Sequence, residues 1–538
     1  MDTGLPIGSF YQGKGRASFQ VWAPYAEQVE LRILSPRNRS VLMQRGHRGY
    51  HHVTLDSTKP GALYVYRLDG LIERPDPASR CQPHGPSGPS CIIDPRYAWK
   101  DRQWPGHPLP DYIIHESTDR TIAFDDHISG LCQLRDVGAT VLSVRLDAPP
   151  STGPSGLPCS VPASMGGPAG LKRLVDACHR KGLAVMLGTS LFELGIEGDP
   201  FVCFGPYFRD RIINLDGPHS DEVRRYFIGC TLQWFREFHI DALDVGNIDS
   251  LADISPMPLL EELTRSVQDE AKHIGRPLYL VAQSERNDPR LIRRREDGGI
   301  GLDAVWNSDF CLALQGLLSR ERTPPHPDFG KLGHLKKAFL EGFVCSGEFS
   351  PSRHRSHGRS SRNLPGDRFL VSCPLPEGPG RKTDATVEEQ KLVGAALLFS
   401  PFVPMLCFEG VEAIRSGSVH GLGPFHCELA RLRKELRYAG LLDKQCMGIL
   451  GYEKERVLLA RYWKEDEDII VLFNMARKAT VVPLPIPAGP WLLRFNSADK
   501  RWNGPGHLLP YMMHGGDADI PMELAARSCA VYARQKVG

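Results

Sequence analysis

The chain has 538 residues, with 65 Lys and Arg against 63 Asp and Glu, a formal net charge of +2. That balance creates no global field of the kind that draws a protein to nucleic acid or an anionic membrane, so a neutral partner is favoured over both. The length suggests two to four units at roughly 100 to 200 residues each, or fewer if one is an α/β barrel. Fourteen Cys are scattered with no CxxC and no Cys/His cluster of zinc-ligand spacing, so reduced thiols and no bound metal or cofactor are expected. The N-terminal MDTGLPIGSFYQGKG carries no basic region followed by an apolar one, and no apolar run approaches the ~20 residues of a membrane span. A soluble, cytoplasmic protein is the expectation.

Residues 1–72 read as short strands separated by turns: SFQVWAP, QVELRIL, HHVTL and ALYVYRLDG. Alternating polarity and frequent Gly predict a small β-sandwich of carbohydrate-binding type. Trp22, Tyr64 and Tyr66 fall on its strands and read as core, with a sugar-stacking platform as the alternative. Residues 73–110 contain RPDPASRCQPHGPSGPSCIIDP, too dense in Pro, Gly and Ser for a regular element, and read as a linker or wrapping segment.

From 111 to 426 the pattern changes to strand and helix in alternation. The strand candidates are DYIIHES, ATVLSVRL, LAVMLGTS, His239–Ile248, LYLVAQS, LDAVWNSDF, FLVSCPL and PFVPMLCF, with amphipathic runs between them. Seven or eight such strands over this length predict an α/β fold of the (β/α)8 TIM-barrel type, with functional residues at the C-terminal strand ends. The basic stretch FSPSRHRSHGRSSRNLPG reads as a solvated loop, with phosphate contact as the alternative. Residues 427–538 give one helix and then RVLLARYW, DIIVLFNM, TVVPLPI, WLLRFNS and AVYAR, a C-terminal β-sandwich.

The strand at His239–Ile248 is unusual. A parallel strand covered on both faces normally reads as a continuous apolar run, yet Asp241, Asp244 and Gly246 interrupt Leu243 and Val245.

Several phrases narrow the reading: GGPAGLKRLVDACHRKGLAV, INLDGPHSDEVRRYF, GLDAVWNSDF, LEGFVCSGEFSP, LLFSPFVPML and FNSADKRWNGPG. With the order sandwich, barrel, sandwich, they resemble the maltooligosyltrehalose trehalohydrolases of the α-amylase superfamily (glycoside hydrolase family 13). The resemblance runs from about Ile7 to Tyr532. It implies retaining cleavage of the α-1,4 bond that releases trehalose, with an Asp nucleophile after the fourth strand and a Glu acid/base after the fifth. A third Asp after the seventh would steady the transition state. Such chemistry needs two carboxyl groups about 5 to 5.5 Å apart, one ionised and one protonated.

Carried over position by position, the resemblance breaks at the chemistry. Gly246 stands at the nucleophile position, and Asp244 where an arginine is expected. Gln283 stands at the acid/base position, and an amide has no proton to give at neutral pH. Pro376 and Glu377 fall at the His and Asp positions of the seventh-strand motif, leaving Glu377 as an altered stabiliser. After the third strand, Gly188, Phe192 and Glu193 replace Asp, Asn and His, and SGLPCSVPASM replaces the aromatic loop that normally underlies the sugar.

Removing residues that act as one catalytic unit typically costs about 10⁴ to 10⁶ in turnover, so a catalytically inactive relative is expected. It would bind an α-glucan or a maltooligosyltrehalose-like oligosaccharide, with Asp244, Glu193 and Glu285 as substrate-binding residues. Alternatively it would act as a scaffold for another trehalose-pathway protein. The competing reading is an active hydrolase in which Asp244, Glu285, Glu377 and Glu193 form a relocated site. A two-residue shift moves a side chain roughly 6.5 to 7 Å along a strand, which weighs against a retaining pair.

Overall fold

The computed structural model describes residues 7–117, 122–146, 157–192, 201–319, 326–374, 386–408, 422–506 and 508–535. At its centre eight parallel strands close into a barrel. They are β1 (Ile114–Ser117), β2 (Val141–Arg145), β3 (Ala184–Thr189), β4 (Ala242–Val245), β5 (Tyr279–Ala282), β6 (Ala304–Trp306), β7 (Phe369–Val371) and β8 (Val403–Phe408). Around them lie α1 (Phe124–Asp136), α2 (Gly167–Arg180), α3 (Ser220–Phe238), α4 (Leu259–Ile274), α5 (Ser308–Leu318), α6 (Leu332–Glu341), α7 (Val387–Leu398) and α8 (Leu422–Tyr438).

Period-2 alternation sorts each strand. Ile114, Val141, Ala184, Met186, Ala242, Val281, Ala304 and Leu370 point inward and pack one another in the barrel interior. Leu187, Leu243 and Val305 point outward to the helices. Two residues beyond Ile114, Met186, Ala242, Val281, Ala304 and Leu370, toward the C-terminal mouth, stand Glu116, Gly188, Asp244, Gln283, Trp306 and Ser372, and four beyond Val141 stands Arg145.

The fourth strand is shorter than its pattern predicts. His239 ends α3 in a left-handed conformation (φ 56°), with its N–H on the Trp234 carbonyl, and Ile248–Ser250 turns into a 3-10 helix. The sixth strand also stops early. The Asn307 side chain accepts from the Phe310 N–H at 3.3 Å and starts α5, so part of the expected strand LDAVWNSDF is helix. The basic stretch likewise contains structure, an antiparallel hairpin of Ser346–Ser350 with Arg355–Gly358.

The N-terminal module has two sheets. One orders Gly8–Gly13, Arg16–Trp22, Tyr50–Leu55 and Gln44–Arg45; the other orders Arg39–Leu42, Val29–Ser35, Leu63–Leu68 and Ile72–Arg74. Trp22, Tyr64 and Tyr66 are fully buried, so all three are core rather than a platform. Trp22 meets Tyr207 edge-on at 5.0 Å, which joins this module to the barrel. The Pro/Gly/Ser-rich segment is mostly irregular, but Ser90–Cys91 adds a short pairing to Leu63 and Tyr64. After α8 the chain closes with a six-stranded antiparallel sheet and the pair Thr480–Leu484 with Ile520–Leu524.

Two features correct or bound the sequence reading. Cys159 and Cys230 are joined in a disulfide, so not all thiols are reduced. The loop before α2 and the middle of α3, 71 residues apart in sequence, meet with Cα atoms at 5.3 Å. Among the described residues no helix is long and apolar enough to cross a membrane, and no group of three or more His, Cys, Asp or Glu is placed to hold a metal ion.

At the N-terminal end of the barrel, a buried charge cluster clamps the segment leading into β1. His179 lies 2.8 Å from Asp101 and 2.9 Å from Asp241, and Trp104 stacks on its ring at 4.8 Å. Asp241 also accepts from Trp104 Nε1 and from the Val185 N–H. Burial opposes charge on all three groups, but their mutual attraction outweighs it. The His179 pKa is raised, and those of Asp101 and Asp241 are lowered. Charge at this end of a barrel reads as stability rather than catalysis.

Candidate functional site

The C-terminal mouth of the barrel holds a cleft of about 450 Å³, lined among others by Glu116, Arg145, Gln283, Trp306 and Ser372. Its floor is organised by Asp244. The residue is 2 % exposed, and its carboxylate accepts three hydrogen bonds. They come from Arg145 Nη1 at 3.1 Å, Gln283 Nε2 at 2.8 Å and Trp306 Nε1 at 2.9 Å.

The register explains how Arg145 gets there. Arg145 pairs with Gly188 across β2 and β3, and Gly188 pairs with Asp244 across β3 and β4, so the three stand side by side on the inner face. The middle one has no side chain. A Cβ built on Gly188 would lie 2.9 Å from Arg145 Cγ and 3.2 Å from its Cζ and Nη1. Arg145 thus crosses the space a side chain at 188 would fill, and its charge meets Asp244 on the next strand. The absent side chain at 188, the arginine and the aspartate form one arrangement.

Burial raises the Asp244 pKa, against the opposing pull of Arg145, Trp306 and Gln283, with Glu116 adding a like charge. A carboxylate has about four lone-pair directions, and three here are occupied by fixed donors. Such a group holds its neighbours in place.

The other sequence-derived positions differ in what they bring to the cleft. Gly246 is buried just beyond β4 and contributes no side chain. Gln283 continues the ladder beyond β5, its N–H donating to the Val245 carbonyl at 3.0 Å, and its amide is committed to Asp244. Glu285 lines the open side of the same cleft, with its side chain 81 % exposed and 3.7 Å from Arg353. Its N–H donates to Asp249 Oδ2 at 2.8 Å, and Ser284 Oγ donates to Asp249 Oδ1 at 2.7 Å. Phe192 is buried against Phe227 at 5.3 Å and belongs to the helix-side core. Glu193 and Glu377 lie outside the described residues.

Arg145, Trp306 and Glu116 were not singled out from sequence. Arg145 had one usable signal, a lone charge ending the apolar run ATVLSV. Behind the cleft, Asp309 fixes the loop after β5 to the turn after α6, accepting from Asn287 Nδ2 at 2.8 Å and from the Val344 and Cys345 N–H groups at 2.7 and 2.8 Å. Among the described residues the cleft therefore offers one arginine, one aromatic edge, the carboxylates of Glu116, Asp249 and Glu285, and several hydroxyl and amide groups to a polar ligand. Among the described lining, no carboxyl pair stands free of other partners at its floor.

Residues 6–77 match the family carbohydrate-binding module 48 (isoamylase N-terminal domain). The chain is 33% identical over 419 residues to the malto-oligosyltrehalose trehalohydrolase of Saccharolobus solfataricus, covering 73% of each chain. It is 35% identical over 422 residues to that of Arthrobacter ramosus, again covering 73% of each. In fold it is similar to the pullulanase from Paenibacillus barengoltzii in complex with maltohexaose and α-cyclodextrin. That likeness has a TM-score of 0.73 at 16% identity and covers 99% of this chain and 96% of the other.

Proposed function

The chain belongs to the malto-oligosyltrehalose trehalohydrolase family, and from that premise we propose that it holds an α-1,4-glucan or a trehalose-terminated oligosaccharide in the barrel cleft without hydrolysing it. The observation that carries this reading is the closed set Arg145, Asp244, Gln283 and Trp306. Asp244, the aspartate of the fourth strand at the floor of the cleft, accepts from three fixed donors, one of them the amide of the residue at the acid/base position. Retaining hydrolysis needs one carboxylate free to attack and another able to give a proton. Gly246 and Gln283 supply neither.

A neutral polyhydroxyl ligand fits the surroundings better than an anion does, because Arg145 is already neutralised by Asp244 and Glu116 lines the same cleft. The pullulanase neighbour is complexed with maltohexaose, which makes that sugar the natural probe. The match of residues 6–77 to a carbohydrate-binding module supports a glucan ligand, and a cytoplasmic location is part of the same proposal. Isothermal titration with maltohexaose tests the binding half of this reading. Saturable heat at micromolar to millimolar sugar is expected, and it should weaken on Trp306→Ala. No heat at millimolar sugar contradicts it and favours a scaffold role.

A further inference from the structure

Outside the cleft, the wrapping segment brings two thiols together. Cys81 is buried and Cys91 is half-buried, and both are free. The Cys91 N–H donates to the Cys81 carbonyl at 2.9 Å, so the two backbones are hydrogen-bonded directly beneath their side chains. The intervening loop is held by its own bonds. Gly85 and Gly88 N–H groups donate to Gln82 and Gly85 carbonyls, and Gln82 Nε2 donates to the Pro86 and Gly88 carbonyls at 2.7 and 3.1 Å. On its far side Cys91 pairs with Leu63, and the next residue, Ile92, exchanges backbone bonds with Gly61 and Ala62. Both cysteines are thus fixed at the neck of a closed loop, with their side chains in mutual contact.

We propose that Cys81 and Cys91 are a redox-active dithiol, which a low-molecular-weight disulfide converts to an intramolecular disulfide closing this loop. Contact between the two sulfurs is the main influence on each: it raises the pKa of Cys81 and lowers that of Cys91. Cys91 is also the more accessible, which makes it the attacking group. Its thiolate attacks one sulfur of the oxidant RSSR, forming Cys91–S–S–R and releasing RS⁻. Cys81 then gives up its proton and attacks the Cys91 sulfur, expelling the second RS⁻. Two protein thiols are oxidised to one disulfide, and one RSSR is reduced to two RSH. Nothing in this depends on the reading of the cleft.

The experiment treats the full chain with oxidised glutathione, blocks remaining thiols under denaturing conditions and maps tryptic peptides by mass. Cleavage after Arg80 and Arg96 puts both cysteines in one peptide, Cys81 to Arg96. The expected product is that peptide lighter by about two hydrogen masses and carrying no glutathione. In Cys81→Ser the glutathione adduct should persist on Cys91, and in Cys91→Ser the Cys81 thiol should stay unmodified. Before oxidation, alkylation of the native protein should proceed at Cys91 roughly tenfold faster than at Cys81. A wild-type peptide that remains reduced, one that keeps a stable glutathione adduct, or Cys91 joined to a different cysteine overturns the proposal. The wild-type mapping alone decides the matter if either variant fails to fold.

Discussion

Breaking the Arg145–Asp244 pair from one side should be costly, and the cost should fall when both charges are removed. The Asp244 side chain is 3 % exposed and that of Arg145 is 14 % exposed. Asp244→Leu therefore removes the carboxylate that faces a largely buried guanidinium, and strands the Gln283 amide and Trp306 N–H as well. Loss of one partner of a buried pair costs about 3–5 kcal/mol. Arg145→Leu should cost less, about 2–3 kcal/mol, because Asp244 keeps two donors and can take up a proton more readily. The double variant replaces the pair with apolar volume, so its cost should fall short of the sum by at least ~2 kcal/mol. Urea unfolding of the wild type, both single variants and the double variant, followed by tryptophan fluorescence, completes the cycle. Additive effects, or a loss below ~1 kcal/mol for Asp244→Leu, would refute the view that this pair organises the floor of the cleft.

Gln283→Glu places a carboxylate where an amide now donates to Asp244 Oδ2 at 2.8 Å, so at neutral pH either one proton is shared or two like charges repel. That variant should be less stable than wild type by about 1–3 kcal/mol at pH 7, with the gap narrowing as pH falls and the pair takes up a proton. Gly188→Ala introduces a Cβ 2.9 Å from Arg145 Cγ. It should cost about 1–3 kcal/mol alone and much less in an Arg145→Ala background, as read from urea midpoints. The cluster at the other end of the barrel sets a pH window. The His179 pKa is raised in the folded state, so its contribution is complete below the ordinary imidazole value of about 6.5 and is lost as pH rises through the folded value. Asp101 and Asp241 are lowered, so theirs is complete above the ordinary carboxylate value of about 4 and is lost as pH falls. Thermal unfolding from pH 3 to 10 should show both limbs, and His179→Gln should flatten the alkaline one.

The barrel was legible because its signal is repetitive: interior positions such as Ile114, Ala184, Ala242 and Val281 recur with period 2 inside a strand–helix alternation. Element ends were less legible, since His239 leaves α3 through a left-handed cap and Asn307 opens a helix, and both depend on one residue's local geometry. Within the cleft, the sequence located Gly246, Gln283 and Asp244 but not what Asp244 does. Its partners Arg145 and Trp306 lie 99 and 62 residues away and become neighbours only through barrel closure. Gly188 shows the same limit. From sequence it is a missing aspartate; in the fold it is the opening through which Arg145 passes. The Cys159–Cys230 bond was hidden for a similar reason, being a contact between a loop and a helix face with no local spacing to announce it.

The central claim is that the cleft keeps a family scaffold without its hydrolysis, and the most direct measurement is trehalose release. The purified chain is incubated with maltooligosyltrehalose and free trehalose is quantified against an active family member at equal concentration. The account predicts release lower by a factor of about 10⁴ or more. Release within about tenfold of the active enzyme would contradict it and would place the attacking carboxylate somewhere other than Gly246.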